Sequence, residues 1–135
     1  MASAVAGLIF RDEKLLLTVR GQEPRKGLLD LPGGFVEFWE PAEEALAREI
    51  REELNLEITE ASFFCSQPND YTYGKVTYMV LDIYFCCRAT NFSDICPGDD
   101  VADYVLMRPE EIKPDELAFI STRQAIKRLV ATSVS

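Results

Sequence analysis

The stretch GFVEFWEPAEEALAREIREELNL, residues 34–56, packs three carboxylates into the last turns of a helix, where physics disfavours them. A helix over 41–54, stepping about 100° per residue, brings Glu49, Glu52 and Glu53 within an arc of about 100° on one face. The pairs 49/53 and 49/52 are neighbours on that face, and each like-charge pair costs roughly 0.2–0.5 kcal/mol. The partial negative charge of the helix C-terminus adds to the cost. A cluster that breaks local rules this way points to function. The simplest such function is a bound divalent cation, because hard cations such as Mg²⁺ take carboxylate oxygens. A bare E-x-x-E-E would otherwise read as a solvated helix face.

The helix ends are legible. Pro41 suits the first helical position. Glu40, Glu43 and Glu44 complement the positive N-terminal end, with Glu40 also placed to brace the preceding loop. Leu46, Ile50 and Leu54 form a stripe for packing on a sheet, while Ala42 and Ala45 leave space on the carboxylate side. Asn55 follows the last turn, where left-handed geometry is wanted.

Before the helix, residues 3–10 and 14–20 read as a strand hairpin turned at Arg11-Asp12-Glu13. Residues 21–26 are a polar loop, 28–31 a short extended piece stopped by Pro32-Gly33-Gly34, and 35–38 another. After the helix, 58–66 is a strand, 68–74 a loop holding Tyr71 and Tyr73, and 75–88 a long strand. Residues 90–100 are a polar loop, 101–107 a strand, 109–112 a helical turn, and 120–131 a closing amphipathic helix. Strands and helices mix without strict alternation, as in an α/β fold with a mixed sheet and helices packed on it.

At 135 residues and 47% apolar composition the chain is expected to form one domain, 1–135, with a sizeable core. A net charge of −9 with no basic run argues against a nucleic-acid surface and against an anionic membrane. If phosphate is the substrate, a cation must first mask the carboxylates. No apolar run approaches the ~18 residues of a membrane span, and no signal-peptide pattern opens the chain. The four cysteines show no C-x-x-C spacing, which fits reduced thiols in the cytoplasm. There is no histidine, so imidazole bases and histidine metal sites are excluded.

The chain resembles the Nudix hydrolase family. The family signature is Gly, five residues, Glu, seven residues, Arg-Glu, an aliphatic, any residue, Glu-Glu, any residue, Gly and an aliphatic. Here it reads Gly34, Glu40, Arg48-Glu49, Ile50, Glu52-Glu53, Asn55, Leu56, and only Asn55 departs from it. Asn is the best substitute for Gly at a left-handed position. Leu31-Pro32-Gly33-Gly34 also resembles the family, whereas Trp39 stands where members often have Gly.

The resemblance implies an α/β/α sandwich with a mixed β-sheet. It implies hydrolysis of a diphosphate linkage in a nucleoside diphosphate derivative, with Mg²⁺ or Mn²⁺. Carried over by position, Glu49, Glu52 and Glu53 would hold metal, with a further acid from Asp99, Asp100 or Asp103, Asp100 first. Arg48 would hold Glu49 in place, and a carboxylate of the cluster, with Glu52 and Glu53 the catalytic candidates, would activate the attacking water. The resemblance also implies that the Gly34 carbonyl would reach a metal. Members are often homodimers.

Substrate contacts are expected from Arg20, Trp39, Gln67, Tyr71 and Tyr73. The tyrosines and Trp39 either stack on a base or pack locally. Arg25 and Lys26 precede the box as further phosphate candidates, and Asp82 either faces the site or makes a buried hydrogen bond. Ser66-Gln67-Pro68 resembles the start of the array that marks NADH pyrophosphatases, and Asn69-Asp70-Tyr71 departs from it. Pro68-Asn69-x-Tyr71-x-Tyr73 with Asp82 and Phe85 is similar to Nudix domains that carry an N-terminal zinc ribbon. This sequence opens on its first strand, so a ribbon-less relative or a trimmed one is expected. An NADH or ADP-ribose pyrophosphatase, or a Nudix domain that senses nucleotide without cleaving it, are the alternatives.

Overall fold

The computed structural model describes residues 2–134, without the side chains of Tyr73, Ser133 and Val134. β1 (Ala2–Arg11) and β2 (Lys14–Arg20) form the opening hairpin, turned at Asp12 with φ 58°. Two short strands, β3 (Leu29–Asp30) and β4 (Gly33–Phe35), lead to helix α1 (Ala42–Leu54). Then come β5 (Ile58–Tyr73), β6 (Val76–Ala89), β7 (Val101–Met107) and helix α2 (Ile120–Val134). The sheet is mixed. β1 runs parallel to β6, and the other pairings between these strands are antiparallel: β4 and β2 on β1, β3 and β7 on β2, β5 on β6.

Alternation along the strands decides which layer each side chain joins. Val5, Ile9 and Leu16 face α1 and pack with Leu46, Ile50, Leu54 and Phe85. Leu8, Leu15, Leu17 and Tyr84 face α2 and pack with Ala125 and Ile126. Three consecutive leucines, Leu15 to Leu17, are all 0% exposed because helices cover both faces of the sheet. The result is an α/β/α sandwich. Among the described residues, no helix is long and apolar enough to cross a membrane.

Helix α1 starts one residue later than expected, with Pro41 at the cap position in extended geometry. Ala45 is 0% exposed and belongs to the core, so the carboxylate face begins directly beside the buried stripe. At the other end Asn55 adopts φ 58° and ψ 33°, and its N–H donates to the Arg51 carbonyl at 2.9 Å. Asn55→Gly should therefore leave stability within about 0.5 kcal/mol, while Asn55→Val should cost about 1–2 kcal/mol, because a branched side chain is strained there. Urea denaturation of the two variants checks this; equal midpoints would contradict it.

Two local expectations fail. The extended piece expected over 35–38 ends at Phe35, because Glu40 folds back on the backbone. Its carboxylate accepts the Glu37 N–H at 3.0 Å, and its own N–H donates to the Glu37 carbonyl at 3.2 Å. The loop expected over 68–74 is instead strand up to Tyr73, closed by a turn with Gly74 at φ 66°. Pro68 is tolerated because β5 is an edge strand and its outer side needs no N–H donor.

Candidate active site

The loop before α1 and the last turns of α1 meet over the start of β1. Gly33 and Gly34 pair with Ala6 and Val5 of β1. A Cβ on Gly33 would overlap the Val5 carbonyl oxygen, and one on Gly34 would overlap the Glu49 carboxyl. Only glycine lets the helix carboxylates come down onto this strand. Glu53 uses the approach: its carboxylate accepts the Gly33 N–H at 2.6 Å.

Arg48 organises the rest. Its Nε and Nη2 donate to the two oxygens of Glu40 at 3.1 and 2.6 Å. Nη1 donates to Glu49 at 2.9 Å and to Glu52 at 3.4 Å, and Nη2 also reaches the Phe35 carbonyl at 3.3 Å. The bond expected from Arg48 to Glu49 is present, and the paired, forked contact goes to Glu40. Glu40 is therefore a brace that ties the loop to the helix through Arg48.

The residues after β6 close the other side. Cys96 and Gly98 donate backbone N–H groups to the Leu54 and Glu53 carbonyls at 3.0 and 2.7 Å, satisfying the end of α1. This brings Asp99 and Asp100 to the rim of a cavity of about 470 Å³ that Glu49, Glu52 and Glu53 also line. Asp103 lies on β7, turned to the Tyr104 N–H, and does not line the cavity. Eight acidic side chains line this space against one basic one, Arg20.

The charge is poorly compensated. Burial pushes the Glu53 carboxyl up to about 8, with Asp30 and Glu49 adding to the rise, although the Gly33 N–H opposes it. Burial also raises Glu49, against the pull of Arg48. Glu40 is held below its ordinary value by its bonds to Arg48. Among the described residues no three acidic, cysteine or histidine groups converge as a ready-made chelate. Glu49 and Glu52 lean on Arg48, and Glu53 on the Gly33 amide.

A second cavity of about 130 Å³ adjoins the first and shares Arg20, Asp30, Gly33, Gly34, Phe35 and Tyr71 with it. Tyr71 stacks on Phe119 at 5.5 Å and 28°, and meets Phe35 edge-on at 6.0 Å. Arg20 lies over the Phe119 ring at 5.0 Å and pairs with Asp30 at 3.3 Å. Burial pushes Asp30 up to about 6 despite that partner.

Of the substrate contacts expected from sequence, Arg20 and Tyr71 come to the cavities and two do not. Trp39 is 76% exposed and packs on Phe38, because the tight turn at Glu40 points both rings outward. Gln67 is turned to the Cys65 thiol. The Tyr73 side chain lies outside the described residues. Sequence reasoning missed Asp30 and Phe119. An acid inside the apolar run 28–31 and an aromatic just before the last helix were the available signals.

The NUDIX domain family matches residues 1–129. A CTP pyrophosphohydrolase of Escherichia coli K12 is 38% identical over 132 residues, 93% of this chain and 96% of that protein. An ADP-ribose pyrophosphatase of Methanocaldococcus jannaschii is 54% identical over 55 residues, which are 41% of this chain and 32% of that protein's length. In fold, the chain is similar to a NUDIX hydrolase from Nitrosomonas europaea, with TM-score 0.80 and 21% identity over 97% of this chain and 89% of the other.

Proposed function

The chain belongs to the Nudix family and is a hydrolase of phosphoric anhydride bonds, and we propose that it cleaves a nucleoside triphosphate of the CTP type between its phosphates. The full-length similarity to the E. coli CTP pyrophosphohydrolase supports the substrate, and the family generally uses divalent metal ions. In this reading the whole chain acts as one domain, in the cytoplasm, which suits its four free thiols.

The observation that carries the reading is the cavity itself. A triphosphate cannot enter a space lined by eight acids and one arginine unless cations offset the charge. Glu49, Glu52, Glu53 and Asp100 offer hard oxygen donors, which suit Mg²⁺ or Mn²⁺. The buried, proton-holding Glu53 carboxyl is a group that a cation would relieve. Ions held there would offset the charge of the phosphates and lower the pKa of a bound water. Glu52 or Glu53 then takes the proton of the attacking water. Arg48 keeps Glu49 and Glu52 aligned, Arg20 draws in the phosphates, and Tyr71 packs against the base.

The test is a panel of nucleoside di- and triphosphates and dinucleotides, assayed with Mg²⁺ and with Mn²⁺. CTP should turn over best. Nucleotide binding without turnover of any compound would replace the enzyme by a sensor. Cation affinity should also depend on pH, because a proton must leave Glu53. Apparent affinity for Mn²⁺ should rise about tenfold per pH unit from 6 to 8 and level off above. A titration showing the same affinity at pH 6 and pH 8 would remove Glu53 from the binding set.

A further inference from the structure

The smaller cavity holds polar groups that the hydrolytic chemistry does not use. Strand register sets them on one face: Asn69 opposite Val80, and Asp82 opposite Ala4. The small Ala4 and Ala6 leave the space open, and the stacked rings of Tyr71 and Phe119 flank it.

The hydrogen-bond capacity of this cavity is uneven. Asp30 is spent: it accepts from the Leu31 N–H, the Thr122 hydroxyl and Arg20. Asp82 accepts from the Ser121 hydroxyl at 2.5 Å through Oδ2, and its Oδ1 has no hydrogen-bond partner among the described residues. Asn69 is 6% exposed, and its carboxamide makes no hydrogen bond among the described residues. Burial raises the Asp82 carboxyl, as expected of a carboxylate short of donors. An open carboxylate oxygen of Asp82 and the open Asn69 carboxamide thus line this cavity beside the Tyr71 and Phe119 rings, where an entering ligand meets both.

Resting on the hydrolase reading above, we propose that Asp82 and Asn69 select the nucleobase, reading an edge with an exocyclic amine beside an unprotonated ring nitrogen. The amine donates to Asp82, and the ring nitrogen accepts from the Asn69 amide. Cytosine and adenine present this edge. Held in that same pose, uracil and hypoxanthine would set a carbonyl oxygen against the carboxylate and a ring N–H against the amide donor. The phosphates would lie in the neighbouring acidic cavity, since the two share Arg20, Gly33 and Gly34. Asp82 is a specificity residue that touches the base and takes no part in bond cleavage.

The experiment compares kcat/KM for CTP against UTP, and for ATP against ITP, in the wild type and in Asp82→Asn. The wild type should prefer the amino member by about tenfold or more in at least one pair, and the pair that shows it names the base. Asp82→Asn should shrink that ratio by about tenfold, because the amide can turn a donor toward an oxo base. An equal fall for all four nucleotides would mean a structural role, and equal wild-type rates within each pair would also overturn the assignment. Calorimetric binding of CMP against UMP, and of AMP against IMP, to the wild type needs neither a variant nor turnover. If nothing is hydrolysed yet an amino nucleotide binds about tenfold tighter, the base assignment stands and the hydrolase reading fails. Equal binding within both pairs overturns the base assignment alone.

Discussion

Glu53→Gln should lower kcat/KM by at least about a hundredfold and, without metal at pH 9, make the protein more stable. The amide keeps an acceptor for the Gly33 N–H, so the local fold survives. It loses the charge that holds a cation and the basicity that takes a proton. Nucleotide binding should largely persist, because Glu49, Glu52 and Asp100 still offer cation ligands and Arg20, Tyr71 and Phe119 are untouched.

The stability gain follows from the sign of the shift. In the folded chain the Glu53 carboxyl holds its proton up to about pH 8, against 4.5 in its ordinary state. Folding favours the protonated form. That contribution is complete below about pH 4.5 and is lost as pH rises through about 8. A neutral amide does not incur the loss, so the variant should melt about 4 °C or more above the wild type at pH 9, and about level with it at pH 4. Scanning calorimetry with chelator, beside steady-state kinetics, checks both halves. More than a tenth of wild-type kcat/KM in the variant would mean that Glu53 is not in the chemistry.

Arg48→Lys should cost about 10–100-fold in kcat/KM and weaken cation binding. The substitution keeps the charge and removes the fork. Arg48 serves Glu40, Glu49, Glu52 and the Phe35 carbonyl from three nitrogens in one plane. A lysine has one nitrogen and cannot span them. Glu40 would lose its paired bonds, and with them the tie between the 33–40 loop and α1. Glu49 and Glu52 would repel each other with less restraint. Unchanged Mn²⁺ affinity and unchanged kinetics in this variant would show that Arg48 has no positioning role.

Much of the site is legible in the sequence because its information is local. The helix period places Glu49, Glu52 and Glu53 on one face, and the left-handed cap falls on Asn55 as expected. The strand hairpin and the closing helix also follow from short-range patterns. The failures share a cause as well. Trp39 lies beside the box in sequence, but a turn closed by Glu40 points it to solvent. Residues 68–74 look like a loop because of Pro68 and Gly74. Pairing with β6 makes them strand up to Tyr73, and no local pattern reports that pairing.

Sequence alone therefore determined the carboxylate helix, its left-handed C-terminal cap, the exclusion of histidine chemistry and the family, since each depends on residue identity at fixed short spacing. Only the tertiary structure decided that Glu40 takes the paired bonds of Arg48. It alone decided that Asp99 and Asp100 reach the cavity while Asp103 does not, and that Asp82 and Asn69 share a slot with Phe119 from the far end of the chain. Those contacts join residues far apart in the chain, and they are set by strand register and helix packing, which act over distances that no sequence window spans.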